Sequence, residues 1–216
     1  MPSVESLLGE LRDLGIVDER VLNAISDVPR ERFVIPELRD LAYENRALSI
    51  SCDQTISQPF IVALMTQALN LTGDETVLEI GCGSGYQAAI LSKLAKRVIT
   101  LERHPKLAHD AQAKFDRLEY RNIEIHIADG TLGYRPLAPY EAILVTAAAP
   151  TITQPLVDQL EIGGRLIIPV GDEEKQELLQ VIRTEDGLRQ RHLCHCRFVK
   201  LIGKAGWPAT SRYEEG

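Results

Sequence analysis

A glycine-rich segment at residues 77–87 has the residue types and spacing to hold a nucleotide-like cofactor. It reads VLEIGCGSGYQ, an apolar run that reaches Glu79 and is followed by Gly81, Gly83 and Gly85. Glycine lets the backbone approach a ligand closely, and the first turn of a helix presents N–H groups that have no intrahelical partner. The segment therefore predicts a strand, a glycine loop and a helix that together form a cofactor site.

The spacing of these glycines narrows the choice of cofactor. Gly-x-Gly-x-Gly is not the Gly-x-Gly-x-x-Gly of dinucleotide-binding proteins, and it lacks the Gly-Lys-Ser/Thr ending of a phosphate-binding P-loop. The carboxylate of Glu79 would repel a pyrophosphate, but it suits a ligand with cationic or hydroxyl groups, such as S-adenosyl-L-methionine. We therefore predict a methyltransferase in which this cofactor contacts Glu79, Gly81, Cys82, Gly83, Ser84 and Gly85.

Two further acidic residues stand where the next strands are predicted to end. In open α/β sheets, ligands bind beyond the carboxyl ends of the strands. The segment RVITLE ends in Glu102, whose carboxylate could accept two hydrogen bonds from a ribose diol. The third strand ends in Asp129-Gly130, where the acid could accept from the adenine amine and the glycine leaves room for the ring. A solvated strand-end charge and an ordinary Asp-Gly turn are the simpler alternatives.

The end of the fourth predicted strand bears on the methyl acceptor. The sequence reads ILVTAAAP at 143–150 and includes Thr146, Ala147 and Ala148. Enzymes that methylate an exocyclic base nitrogen usually carry Asn or Asp, two prolines and an aromatic residue there, which stack on a flipped base and hold its amine. Because this chain has no aromatic residue in the segment, base methylation is disfavoured. Small residues would instead leave room for a peptide backbone.

A polar segment before the glycine loop is the second candidate for substrate binding. DQTISQP at 53–59 runs into a predicted helix and places Pro59 in the first turn, where proline is favoured. Ser57 stands near the N-cap, so that its hydroxyl and the local N–H groups would form a small anion site. On these residues alone, a routine helix cap is the simpler interpretation.

Alternating helix and strand patterns from about residue 58 onward must position these residues. Such alternation specifies a mostly parallel sheet with helices on both faces. The predicted helices are 60–69, 86–94, 105–118 and 155–160, and the predicted strands are 76–80, 97–101, 123–127, 142–145 and 165–170. On either side of the Asp186-Gly187 turn, 178–183 and 188–202 indicate antiparallel strands.

We therefore predict an α/β fold, with a Rossmann-like, doubly wound, mostly parallel sheet and an antiparallel C-terminal strand. Short helical patterns before about residue 45 predict an N-terminal helical extension. The predicted division is 1–57 for this extension and the substrate loop, packed on the main domain, and 58–216 for the cofactor-binding domain.

Composition limits the class of partner. The 216 residues carry a formal net charge of −7 and no block of Lys or Arg, which argues against a broad nucleic-acid-binding face. No stretch approaches the roughly 20 apolar residues of a membrane span, and the first residues lack the features of a signal peptide. We expect a cytoplasmic monomer with four free cysteines and with neither nucleic-acid nor membrane partners.

The segment HLCHC at 192–196 contains potential metal ligands. These residues alternate within one short apolar run, and no second Cys pair or His pair stands at zinc-finger spacing. The sequence therefore predicts ordinary strand residues here and no metal site.

Along nearly its whole length the chain resembles the protein-L-isoaspartate (D-aspartate) O-methyltransferase family. The matching stretches are VPRERFV (28–34), AYENRAL (42–48), QTISQP (54–59), VLEIGCGSGYQAAIL (77–91), ITLER (99–103), YEAILVTAAAP (140–150) and GGRLIIPVG (163–171). QTISQP and VTAAAP are far more specific than the glycine loop, which many methyltransferases share.

The resemblance implies methyl transfer from S-adenosyl-L-methionine to the free carboxylate of L-isoaspartyl residues, and less efficiently D-aspartyl residues, in damaged proteins. The ester then closes to a succinimide, which hydrolyses partly to normal aspartate without an enzyme. The family's active-site serine falls on Ser57, and its cofactor contacts fall on the glycine loop, Glu102, Asp129 and Gly130. The predicted site also includes Arg103 on the cofactor side, and Thr55, Ile56, Gln58, Thr146, Ala147 and Ala148 on the substrate side.

The chain departs from the family pattern at two places. The sequence SISCD at 49–53 replaces the family's Pro-Ile-Gly-x-Gly before QTIS, and Lys200 replaces a proline after Arg-Phe-Val. Asp53 adds negative charge beside a site for carboxylates. Two alternatives therefore stay open. One is a cofactor-binding member with weak or no isoaspartyl activity that acts through a protein partner, and the other is a methyltransferase for a different carboxylate acceptor.

Overall fold

The computed structural model describes residues 2–209. Residue 1 and residues 210–216, the two ends of the predicted division into 1–57 and 58–216, lie outside the described residues. The α-helices are α1 (Val4–Asp13), α2 (Glu19–Asp27), α3 (Pro59–Leu69), α4 (Tyr86–Ser92), α5 (Pro105–Arg117) and α6 (Gln154–Asp158). The strands are β1 (Leu48–Ser49), β2 (Thr55–Ile56), β3 (Thr76–Ile80), β4 (Arg97–Glu102), β5 (Ile123–Ile127), β6 (Tyr140–Val145), β7 (Leu160–Gly171), β8 (Gln176–Thr184) and β9 (Gly187–Cys196). Within this part of the chain, no helix has the length and apolar character to span a membrane.

Seven strands form one sheet in the order β5-β4-β3-β6-β7-β8-β9, and β1 pairs with β2 in a separate small sheet. Along this order, neighbouring strands are parallel from β5 through β4, β3 and β6 to β7. Strand β8 is antiparallel to both of its neighbours, β7 and β9. The predicted α/β fold with an antiparallel C-terminal strand is confirmed, and the reversed strand lies second from the edge. The strand order changes direction at β3, so a ligand is expected beyond the carboxyl ends of β3, β4 and β6.

Two buried apolar clusters lie on the opposite faces of the sheet. Successive residues of a strand point to opposite faces, and accordingly Val77 belongs to one cluster and Leu78 to the other. Since β3 and β6 are covered on both sides, they consist almost entirely of buried residues. The core thereby fixes the strand ends from which the candidate site is built.

The two N-terminal helices pack on the face of the sheet that contains Val77. Each begins at a side-chain cap, because Ser3 accepts a hydrogen bond from the N–H of Ser6 and the carboxylate of Asp18 accepts one from the N–H of Arg20. Their buried residues belong to the same apolar cluster as those of α3 and α4. The N-terminal segment therefore shares a core with the sheet.

Several predicted element boundaries differ from the structure, most by one or two residues, and the differences at α6, β7 and β9 affect the description of the site. Helix α6 ends at Asp158, not at residue 160, and β7 already begins at Leu160. The early part of β7 contains Gly163 and Gly164, and its pairing with β6 shifts register there, which hides the strand pattern. Strand β9 ends at Cys196, because its partner β8 begins at Gln176, the residue opposite Cys196. Residues 197–202 are thus not part of β9.

Candidate active site

A cavity of about 700 Å³ opens beyond the ends of β3, β4 and β6. Four parts of the chain supply most of its lining: residues 53–57, residues 81–84, the ends of β4 and β6 with the residues after them, and residues 197–202. Its volume is typical of a small-molecule site. The cavity therefore lies where the strand order predicts a ligand.

The glycine loop has a backbone conformation that requires glycine. Gly81 has a φ of +94°, and a Cβ at this position would overlap the hydroxyl oxygen of Thr146. Thr146 donates this hydroxyl to the carbonyl of Gly81 at 2.6 Å, while the N–H of Gly81 donates to the carbonyl of Leu101 at 2.8 Å. The ends of β4 and β6 thereby hold the loop open as a cradle for a ligand.

The carboxylate of Glu102 is held between two backbone N–H groups. One oxygen accepts from Gly83 at 2.8 Å and the other from His104 at 2.9 Å. A carboxylate has about four lone pairs, so each oxygen can accept a further hydrogen bond from a ligand in the cavity that Glu102 lines. This fixed acceptor matches the predicted contact with a ribose diol.

Glu79 is not positioned as the sequence predicts. Its side chain is fully buried and does not line the cavity. It hydrogen-bonds with Thr100, the residue opposite it on β4, while its Oε1 has no partner among the described residues. Burial raises the pKa of Glu79 to about 8, so the carboxyl is mostly protonated at neutral pH. A neutral carboxyl beneath the glycine loop places no negative charge near a ligand in the cavity.

Asp129 uses its carboxylate to shape the chain at the end of β5. One oxygen accepts from the N–H and the hydroxyl of Thr131, at 3.0 and 2.6 Å, and the other accepts from the N–H of Lys204 at 2.8 Å. Asp129 lines a smaller neighbouring cavity, whereas the adjacent Gly130 lines the main one. Arg103 lines both. Asp129 itself does not line the main cavity, and its contact with adenine stays a prediction.

The substrate segment reaches the cavity through Ser57. Helix α3 has Gln58 as its N-cap and no side-chain cap hydrogen bond, so Ser57 is not the routine cap that the sequence left open. Ser57 lines the cavity together with Thr55 and Ile56. Gln58 does not, because its side chain donates to the carbonyl of Asn45 at 2.9 Å.

The altered loop before this segment turns sharply. Cys52 and Asp53 both have left-handed φ angles, 59° and 54°. Such angles favour glycine, and the Pro-Ile-Gly-x-Gly pattern of the family that the chain resembles has glycine at position 53 but not at position 52. The turn leads into β2 and places Asp53 on the lining of the cavity. The loop thus keeps a glycine-like path without glycine.

The segment 197–202 forms a wall of the cavity that sequence reasoning missed. It is attached to the residues after β6, because the N–H of Ala148 donates to the carbonyl of Val199 and the N–H of Leu201 donates to the carbonyl of Ala148, both at 2.8 Å. The side chain of Gln176 accepts from the N–H of Phe198 at 2.6 Å. The Arg-Phe-Val-Lys stretch was the only signal for this wall in the sequence.

Most of the predicted site residues meet at the cavity. Those that line it are Thr55, Ile56, Ser57, Gly81, Cys82, Gly83, Ser84, Glu102, Arg103, Gly130, Thr146 and Ala147. The structure does not bring Gln58, Glu79, Gly85, Asp129 or Ala148 to its lining. Gly85 is the N-cap of α4, where a Cβ would press on the ring of Phe115. Ala148 is buried, and its backbone forms hydrogen bonds with Val199 and Leu201.

Comparison with known proteins gives a consistent result. A family model described as protein-L-isoaspartate(D-aspartate) O-methyltransferase matches residues 2–206. The chain is 52% identical to a protein-L-isoaspartate O-methyltransferase of Syntrophobacter fumaroxidans over 198 residues, which is 92% of each chain. It is 50% identical to the protein of the same name from Methanoculleus marisnigri, over 92% of this chain and 90% of that one.

Solved structures agree with the sequence relatives. A protein-L-isoaspartate O-methyltransferase superposes with a TM-score of 0.84 at 28% identity, over 94% of this chain and 67% of that chain. A protein described as a putative member from Plasmodium falciparum, in complex with S-adenosyl-L-homocysteine, superposes with a TM-score of 0.81 at 26% identity, over 94% of this chain and 99% of that chain.

Proposed function

The chain belongs to the protein-L-isoaspartate (D-aspartate) O-methyltransferase family, and from this membership we propose how its own residues work. The reaction is methyl transfer from S-adenosyl-L-methionine to the free carboxylate of L-isoaspartyl residues in proteins and peptides. The product ester then closes to a succinimide, which starts repair of the damaged residue.

The cofactor side of the cavity suits S-adenosyl-L-methionine. The strongest support is that Gly81 and Glu102 line the same cavity. Gly81 leaves the backbone accessible to a ligand, and the fixed carboxylate of Glu102 can accept further hydrogen bonds from it. When bound, the cofactor supplies an electrophilic methyl group. Glu102 would accept from its ribose hydroxyls, and Gly130 leaves room beside the purine.

The acceptor side needs no general base. An isoaspartyl carboxylate has a pKa near 4 and is already ionised at neutral pH. The task of the protein is to hold the carboxylate oxygen in line with the methyl carbon and to exclude water. Ser57 would donate its hydroxyl to the carboxylate and so fix its orientation, while the small side chain of Ala147 leaves space for the substrate backbone.

The wider organisation is also proposed. Residues 1–57 would form the helical extension and substrate loop, and 58–216 the cofactor-binding domain. We propose a cytoplasmic monomer with neither nucleic-acid nor membrane partners. The formal net charge of −7 supports the absence of a nucleic-acid partner, and the four free cysteines support a reducing compartment.

A paired-peptide assay tests the function. One peptide carries an isoaspartate at an Asn-Gly-derived site and its twin carries normal aspartate, and both are incubated with the enzyme and methyl-labelled cofactor. We expect labelling of the isoaspartyl peptide alone. Equal labelling of both peptides would point to a different acceptor. Cofactor binding without labelling of either would support the binding-module alternative, which the turn at Cys52 and Asp53 motivates.

A further inference from the structure

Three side chains with metal-binding atoms meet on the β8–β9 hairpin, on residues that do not line the cavity. Glu177, His192 and His195 each offer one ligand atom, and these atoms all lie within 4.8 Å of one another. All three side chains are exposed, and the centroids of the two imidazole rings are 5.1 Å apart. The sequence predicted no metal site in this segment.

A β-bulge explains why the two histidines lie on one face. Residues three apart on a regular strand point to opposite faces. In β9 the register shifts between the partners of Leu178 and Leu179, which lie opposite Cys194 and His192, so that Leu193 is the extra residue. The burial pattern agrees, because Leu193 and Cys194 are both half-buried while His192 and His195 are exposed.

The pairing of the strands brings the carboxylate to the same place. Glu177 lies directly opposite His195 in the β8–β9 ladder, and directly opposed residues share a face. Cys194 and Cys196 instead lie opposite Leu178 and Gln176, both buried, and burial raises the pKa of both thiols. The thiols therefore do not belong to the exposed set.

We propose that Glu177, His192 and His195 bind one divalent transition-metal ion of the zinc type. Imidazole and carboxylate are ordinary zinc ligands, and ligands of a tetrahedral zinc ion lie about 3.4 Å apart. Exposed side chains can close from 4.8 Å to that distance by small rotations. Three protein ligands leave a fourth position for water, and a set with two imidazoles excludes Mg²⁺ and Ca²⁺ as preferred occupants.

The position of the site gives it a consequence for the hairpin. Glu177 follows Gln176, whose side chain holds the backbone of Phe198 in the cavity wall. A bound ion would join the start of β8 to the end of β9 next to this contact. Because the ion binds the folded hairpin and not the separated strands, it stabilises the native state.

Zinc binding to the whole, metal-stripped protein tests the proposal. Isothermal titration with Zn²⁺ should give one ion per chain, and Zn²⁺ should raise the melting temperature. The double variant His192→Gln/His195→Gln should weaken binding at least about tenfold and abolish the thermal shift. His109→Gln, an exposed histidine on α5, is the matched control and should bind as the unaltered protein does.

Any of four outcomes would overturn the site. Binding that persists in the double histidine variant, or no stoichiometric binding to the unaltered protein at micromolar Zn²⁺, contradicts it. Loss of binding in Cys194→Ser/Cys196→Ser with both histidines in place would assign the metal to the thiols instead. If the double histidine variant does not fold, Glu177→Gln decides, because retained full affinity in that variant excludes the carboxylate. These measurements of zinc affinity and melting temperature do not depend on methyl transfer.

Discussion

The guanidinium of Arg30 donates a hydrogen bond to the backbone carbonyl of Ser57 at 3.1 Å. The same side chain donates to the carbonyls of Ala42 and Arg46, at 2.9 and 3.2 Å, and lies over the ring of Tyr86. Arg30 is fully buried, and this burial lowers its pKa to about 10, so the side chain stays charged at neutral pH. A buried cation thus connects the N-terminal segment to the residue proposed to orient the substrate.

Replacing Arg30 by Met should loosen this connection. Three carbonyls lose a donor inside the protein, so we expect a loss of about 2–4 kcal/mol in the free energy of unfolding. If the variant folds, the KM for an isoaspartyl peptide should rise more than the Kd for the cofactor. Chemical denaturation and steady-state kinetics measure the two effects. Arg32→Met, an exposed arginine two residues away, should change neither, and an equal effect there would contradict the role of Arg30.

Replacing Ser57 by Ala should reduce turnover and leave the cofactor site intact. Loss of one hydrogen bond to a charged carboxylate corresponds to about a 10- to 100-fold fall in kcat/KM. Methyl transfer to an isoaspartyl peptide measures the fall, and calorimetry should show unchanged cofactor affinity. Ser49→Ala, exposed in β1, is the control and should keep full activity. Cofactor affinity that falls with Ser57→Ala would refute the orienting role.

Replacing Glu102 by Gln should affect the opposite half of the site. The amide keeps the shape of the carboxylate, but its NH₂ group must face the N–H of either Gly83 or His104, and the charge is lost. We expect cofactor binding to weaken by about 10- to 100-fold. Titration calorimetry is the direct measurement, with the exposed Glu161→Gln as the control. An unchanged Kd would remove Glu102 from the cofactor site.

The buried carboxyl of Glu79 should make stability depend on pH. Its pKa is raised from an ordinary value of 4.5 to about 8, so the folded protein retains a proton that the unfolded chain releases. Stability linked to this proton is complete below pH 4.5 and is lost as the pH rises to about 8, with a cost on the order of 3 kcal/mol at pH 7.

A neutral side chain at position 79 removes this dependence. Glu79→Gln should therefore gain stability relative to the unaltered protein as the pH rises from 5 to 8, because only the glutamate pays for ionisation. Denaturant unfolding at several pH values gives the difference between the two proteins. A difference that stays constant over this range would show that Glu79 is ionised in the fold.

Local sequence signals predicted several residues that line the cavity, because each signal acts within a few residues. The glycines at 81 and 83 and the strand that ends in Glu102 needed only chain order and the alternation of helix and strand. Glu79 lies in the same stretch, yet its side chain turns towards Thr100 on the next strand. That partner is set by strand register, which no local pattern of residues specifies.

The remaining differences have the same physical origin. The end of β9 at Cys196 depends on where β8 begins, and the wall at 197–202 follows from that pairing. The meeting of His192 with His195 depends on a bulge that only the paired strand reveals. The orientation of Glu79, the end of β9 and the meeting of the two histidines all depend on contacts between segments that are distant in the chain. Composition and residue spacing carry information only about neighbours in the chain.

The attachment of Val199 and Leu201 to Ala148 also bears on the order in which the protein is made. A ribosome completes the glycine loop and Glu102 well before it reaches this pair of residues. Trp207, which donates its indole N–H to the same Ala148, is made later still. The cavity wall at 197–202 is therefore the last part of the cavity lining to be synthesised, after the glycine loop, Glu102 and the residues that follow β6.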